Sequence, residues 1–226
     1  VEGNFLNAFN LDFLMTPPKE HLNTAAEHSV EPKTNITAEE LNLLPLKAFT
    51  GKVSVITDAE KLSKALKEME KHDAVGFDTE TRPSFKKGQS YNVALLQLAL
   101  PHKVFLIRLH HTGVTDELAA FFENENIIKA GVAIRDDIKA LQKNKRFQPQ
   151  AFVELATLSK EKGLQVESVK KLTGLLLGFR ISKSAQTSNW EAPTLTEKQL
   201  EYAATDAWVC LEIYKKLIAA QPVTIL

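Results

Sequence analysis

The chain has 226 residues, 44% apolar and 25% charged, enough to bury a sizeable core in one domain with an extension. Its 28 basic and 28 acidic side chains cancel, which excludes a broadly basic surface of the kind that grips nucleic acid unaided. One cysteine, Cys210, excludes an intramolecular disulfide and a thiolate zinc site; on an apolar helical face it reads as a buried structural thiol in a reducing, cytoplasmic setting. No run reaches the roughly 18 apolar residues of a membrane span. The first residues carry Glu2 and Asp12 and lack a basic start before a long apolar centre, so no signal peptide is expected.

Residues 1–35 are Asn-rich, carry Pro17-Pro18 and Pro32, and show no sustained period. They read as a loosely ordered extension in which Phe5, Leu6, Phe9, Leu11, Phe13 and Leu14 offer an apolar set to a partner surface. Residues 36–226 are expected to form the folded domain. Val53–Ile56 predicts a short strand, and Thr57-x-x-Glu60 has capping-box spacing ahead of Leu62, Ala65, Leu66 and Met69 at helical intervals. Strand-like runs follow at Ala74–Thr79, Val93–Leu100 and Lys103–Leu109, whose links predict antiparallel neighbours with Pro101-His102 as a turn. Then come a helix over 116–123, a strand over Ile127–Val132, a helix over 134–143 and a strand over Ala151–Thr157. The last third is helical and ends in a long helix from about Thr196 to Ala219. Hairpins followed by alternating strand and helix predict an α/β domain, a mixed sheet flanked by helices.

Five side chains on three of these elements carry chemistry. Asp78 and Glu80 are two apart on a strand, so both carboxylates share one face while Phe77 and Thr79 share the other. Acids on apolar elements are costly unless a cation holds the charge, and hard cations prefer oxygen ligands. A ribose-binding acid of a dinucleotide fold is the other use of such a position, but no Gly-x-Gly-x-x-Gly loop precedes it. Helical phase separates the adjacent pair Asp136 and Asp137: Ile134, Ile138 and Leu141 define the inward stripe, Asp137 lies on its edge and Asp136 opposite. Asp137 is therefore the candidate ligand. Tyr202 and Asp206, spaced i and i+4, share one face of the final helix at the border of its buried arc, where a cleft would open.

Phe77-Asp78-Thr79-Glu80, Gly131-Val132-Ala133-Ile134-Arg135-Asp136-Asp137 and Tyr202-Ala203-Ala204-Thr205-Asp206-Ala207 resemble the three motifs of the DEDDy 3′–5′ exonuclease family, the group that includes ribonuclease D and the exonuclease domain of the Werner helicase. Val93–Leu98 and Gln186–Trp190 also resemble family segments, so the likeness covers about residues 50–220 in order. It implies a ribonuclease H-like fold with a mixed five-stranded sheet. It further implies two divalent cations, Mg²⁺ or Mn²⁺, held by Asp78, Glu80, Asp137 and Asp206, with Tyr202 orienting the attacking water. The implied partner is a nucleic acid 3′ end, DNA or RNA, and the product a nucleoside 5′-monophosphate. Phe77, Thr79, Leu96 and Gln97 lie where a terminal nucleotide would pack, though core packing is the stronger expectation for Phe77 and for Leu96 or Gln97. Lys183 and Arg180, in the polar stretch 180–189, are candidate phosphate contacts; Trp190 either anchors that loop or stacks on a base. The six histidines show no ligand spacing, and His110-His111 reads as surface. The residues after 220 are too few for the helical nucleic-acid-binding domains of ribonuclease D. With Ser188-Asn189-Trp190 leading into Leu195-Thr196, this tilts the expectation towards the Werner-type branch and DNA. An RNA-trimming enzyme and a binding module without turnover are the alternatives.

Overall fold

The computed structural model describes residues 33–84, 88 and 91–219; the apolar residues of the extension, Phe5 to Leu14, lie outside them. The centre of the sheet comes from three consecutive apolar runs, β2 (Ala74–Thr81), β3 (Val93–Leu100) and β4 (Lys103–Arg108), paired antiparallel as expected. Every residue of β3 is buried, which is why its sequence shows no alternation. Three further strands join in parallel: β1 (Lys52–Ile56) beside β4, β5 (Ile128–Gly131) beside β2, and β6 (Phe152–Glu154) beside β5. The order is β1-β4-β3-β2-β5-β6, six strands where the resemblance implies five.

Helices cover both faces. α1 (Ala38–Leu43) precedes β1; α2 (Ala59–Met69), the short α3 (Leu109–Thr112), α4 (Asp116–Glu123) and α5 (Ile134–Asn144) follow in turn. α6 (Leu155–Glu161), α7 (Val169–Leu172) with a π-helical turn over 173–177, and the long α8 (Glu197–Ala219) complete the chain. Leu62, Leu66 and Met69 of α2, Leu118 and Phe122 of α4, and Ile134 and Leu141 of α5 join Phe77, Leu96 and Leu98 in one core. On the other face, Ala203 and Ala207 of α8 pack over Leu95 and Ala99, and Val209, Ile213 and Leu217 meet Leu155 and Leu172.

One glycine sets how deeply α8 sits. A Cβ at Gly76 in β2 would lie 1.9 Å from the Ala207 carbonyl oxygen, so helix and strand backbones approach this closely only because none is present. α8 is also covered on its far side, which buries Val209 and Ile213, while Tyr202, packed on Trp190, and Asp206, facing β2, are only 8% and 7% exposed. Both are more deeply buried than a helix border implies, yet both line a cleft, as the spacing leads one to expect.

Three local expectations change. The α2 cap is Asp58, not Thr57: the Asp58 carboxylate accepts from the Lys61 amide at 2.8 Å. A capping box forms instead at Thr37 and Glu40 ahead of α1. The run expected as a strand over 151–157 divides after Glu154 and continues as α6. Residues 33–35 join the folded body rather than the extension: the Thr34 carbonyl accepts from the Gln165 amide at 2.8 Å, and Lys33 pairs with Glu40.

Candidate metal centre and family

Asp78 and Glu80 project from the α8-facing side of β2, and α8 delivers Asp206 to meet them. One ligand oxygen from each of Asp78, Glu80 and Asp206 lies within 4.8 Å of the others. No basic side chain joins these carboxylates in an ion pair among the described residues, and Asp206 Oδ1 is buried with no hydrogen-bond partner. Burial, then repulsion from Asp206 and Asp137, holds the Asp78 carboxyl well above the usual carboxylate range. Burial and then Asp78 push Glu80 up to about 9. Burial raises Asp206 to about 7, opposed by a hydrogen bond with Tyr202 and by the charge of Lys183. Three oxygen donors this close, desolvated and mutually repelling, fit a hard divalent cation.

Burial also pushes the Tyr202 phenol up, followed by the charges of Asp206 and Glu80. The phenol therefore stays protonated, a donor rather than a base. Its ring packs on Trp190 with centroids 6.0 Å apart.

Asp137 approaches from the opposite face of the sheet. The Thr79 hydroxyl donates to Asp137 Oδ1 at 2.7 Å, and Asp137 stands outside the three-carboxylate group. Burial raises its carboxyl, with the Thr79 bond opposing. Asp136 is exposed and pairs with Lys139 at 3.1 Å, as the helical phase predicts. Above the carboxylates opens a cleft of about 510 Å³, lined by Thr79, Val132, Ala133, Glu167, Ser168, Val169, Lys183, Gln186 and Tyr202 besides the acids.

The proposed substrate contacts divide sharply. Thr79 and Lys183 line the cleft, whereas Phe77, Leu96, Gln97 and Trp190 are fully buried and do not. Phe77 packs edge-on against Phe122 and Phe152, because its alternation on β2 turns it from the acids into the other core. Leu96 joins the same core. Gln97 pairs across the sheet with Asp78, its amide buried without a partner. Trp190 anchors its loop, whose Ala192 and Pro193 carbonyls accept from the buried Arg108 guanidinium. Arg180 is engaged elsewhere: its Nε donates to the Leu44 carbonyl, and its backbone bridges to Leu46. His110 and His111 are exposed on α3, as their surface reading predicts.

Sequence reasoning missed Glu154. One of its oxygens accepts from the amides of Ala133 (3.0 Å) and Ala156 (3.2 Å), the other from Ile134 (2.9 Å). It also missed Glu167 and Ser168 as cleft walls, which nothing in their local pattern marks, whereas Gln186 lies in the polar stretch 180–189 and in a family-like segment.

An acidic cluster thus lies between a mixed sheet and a long helix, on a ribonuclease H-like fold of the exonuclease-domain kind. The chain belongs to the 3′–5′ exonuclease family, whose profile matches residues 53–220, and within it to the DEDDy type, a group of divalent-metal-dependent enzymes. It is 39% identical over 152 residues to the mouse bifunctional 3′–5′ exonuclease/ATP-dependent helicase WRN, a match that covers 64% of this chain and 11% of that protein. The chain thus spans about a tenth of that relative's length. The Nibbler EXO domain of Aedes aegypti superposes with a TM-score of 0.68 at 26% identity, over 76% of this chain and 91% of that one. Escherichia coli RNase D shares the fold, with a TM-score of 0.68 at 24% identity over 74% of this chain and 44% of that one. No helix among the described residues is long and apolar enough to cross a membrane.

Proposed function

We propose that the chain is a metal-dependent 3′–5′ exonuclease that hydrolyses the terminal phosphodiester of a nucleic acid, with DNA favoured, and releases nucleoside 5′-monophosphates. The observation that carries this reading is the convergence of Asp78, Glu80 and Asp206 within 4.8 Å in a cleft where, among the described residues, no basic side chain pairs with them. These three, with Asp137 as the fourth ligand, would hold two divalent ions, Mg²⁺ or Mn²⁺. When bound, the ions supply Lewis acidity and neutralise charge at the phosphate.

The chain's own residues do the rest. Tyr202, protonated and one helical turn from Asp206, holds the attacking water or a phosphate oxygen in place. Water oxygen attacks phosphorus, the bond to the 3′ oxygen breaks, and the shortened strand keeps a 3′ hydroxyl. Lys183, exposed at the cleft wall, offers a cation to the incoming phosphate, and Gln186 and Ser168 offer polar contacts. In this reading the catalytic domain begins just before Ile36, and the single buried cysteine agrees with a cytoplasmic site of action. The preference for DNA rests on Ser188-Asn189-Trp190 and on the likeness to the Werner-type relative.

The test is degradation of matched 5′-labelled single-stranded DNA, recessed duplex DNA and RNA with Mg²⁺, Mn²⁺ or EDTA, beside a doubly substituted Asp78→Ala, Glu80→Ala control. A metal-dependent ladder shortening from the 3′ end, absent in the control, is expected. RNA degraded faster than DNA would transfer the assignment to RNA trimming. Folded protein that binds Mn²⁺ yet cuts nothing would leave a binding module.

A further inference from the structure

We propose that Glu154 is a positioning residue: it holds Asp137 and the cleft wall at Val132 and Ala133 in place. The inference rests on the nuclease reading of the acidic centre. α5 starts abnormally. Its N-cap, Ala133, sits in the left-handed region at φ 58°, ψ 32°, and supplies no side-chain cap. A non-glycine residue in that conformation is strained and persists only where its surroundings over-determine it.

Glu154 is what over-determines it. Its carboxylate takes the amides of both Ala133 and Ile134, two donors that the helix leaves without intrahelical partners. A negative charge there also meets the positive end of the α5 dipole. The carboxylate has little freedom to drift. Glu154 ends β6 in parallel register with Gly131, and its own oxygen accepts from Ala156 at the start of α6. Sheet, turn and both helix starts therefore meet on one side chain.

The consequence runs to the centre. Asp137 follows Ile134 by three residues, inside the first turn of α5, and its 2.7 Å bond from Thr79 requires that turn to sit where it does. Val132 and Ala133 themselves line the cleft. Releasing Glu154 relaxes Ala133 towards an ordinary φ, swings the first turn, and draws Asp137 from its place across Thr79.

The test compares Glu154→Ala with Glu154→Gln, which keeps the length and one acceptor and serves if the alanine variant folds poorly. Three readouts are taken: hydrogen exchange at the Ala133 and Ile134 amides, Mn²⁺ binding by calorimetry, and kcat against KM on the best substrate. Glu154→Ala is expected to speed exchange at both amides at least about tenfold. It should lower Mn²⁺ affinity or kcat about 10–100-fold while KM changes less than about threefold, the usual size of outer-sphere effects. Glu154→Gln should recover most of the loss. In an Asp137→Asn background, Glu154→Ala should still speed exchange but cost nothing further in kcat or Mn²⁺ affinity. Equal losses in both backgrounds, or faster exchange with kcat and Mn²⁺ affinity unchanged, would overturn the proposal. A wild-type protein that cuts nothing would remove the nuclease reading alone, because exchange and Mn²⁺ binding still decide the positioning role.

Discussion

Replacing Glu80 with glutamine should make the metal-free protein more stable. The Glu80 carboxyl is 9% exposed and is pushed from 4.5 up to about 9 by burial and by Asp78. In the unfolded chain it ionises normally. A carboxyl raised in the folded state gives stability that is fully present below about pH 4.5 and is lost as pH rises towards about 9. At pH ~7.5 the mismatch costs up to about 4 kcal/mol, from about 1.4 kcal/mol per pH unit above 4.5. Asp78 and Asp206 share protons with Glu80, so about half of that, roughly 2 kcal/mol, should return when the neutral amide replaces it. For a domain of this size the gain is about 4–8 °C in Tm. The assay is thermal unfolding of wild type and Glu80→Gln in EDTA from pH ~5 to ~9, where the difference should grow from nearly nothing to its full value. Saturating Mn²⁺ should invert the order: wild type gains about 2.7 kcal/mol at a hundredfold excess over Kd, and the variant gains much less. A Glu80→Gln variant no more stable than wild type in EDTA at high pH would refute the reasoning, since the carboxyl would then not be held against its ionisation.

Three further outcomes are expected. Tyr202→Phe keeps the ring against Trp190, so Tm should stay within about 2 °C while kcat falls about 10–100-fold through loss of orientation, measured in a single-turnover assay. Gly76→Ala places a methyl against the Ala207 carbonyl and should destabilise by about 1–3 kcal/mol in urea titration, with weaker Mn²⁺ binding because Asp206 moves away from Asp78. Trp190→Phe should leave KM for oligonucleotides unchanged, whereas Trp190→Ala should cost about 3–5 kcal/mol of stability; a raised KM in the phenylalanine variant would restore base stacking as its role.

The acidic centre was largely legible because each acid sits in a local period. Spacing by two put Asp78 and Glu80 on one face, helical phase separated Asp137 from Asp136, and the i, i+4 step joined Tyr202 to Asp206. The centre's depth was not legible. It depends on which helix lies on which strand, and the bare approach at Gly76 carries no signal in a run of eight strand residues. The burial of Tyr202 and Asp206 follows from Trp190 packed on the phenol ring and from the seat of α8 on β2, which no single-helix pattern encodes. Phe77 shows the same limit from the other side: alternation turned it from the acids, but only the aromatic core of Phe122 and Phe152 decides that it stays there. Glu154 was hidden in a run whose strand character stops at that very residue.

Gly76 and Ala207 have a consequence for when the molecule can become active during synthesis. Two carboxylates of the cluster leave the ribosome early on β2, and the third waits on α8, which emerges after all six described strands. Until α8 seats on the bare backbone of β2, the nascent chain carries Asp78, Glu80 and Asp137 but lacks the Asp206 carboxylate that closes the three-oxygen group. Latency is thereby built into the order of the polypeptide, and a chain truncated before α8 would be inert however well its sheet formed.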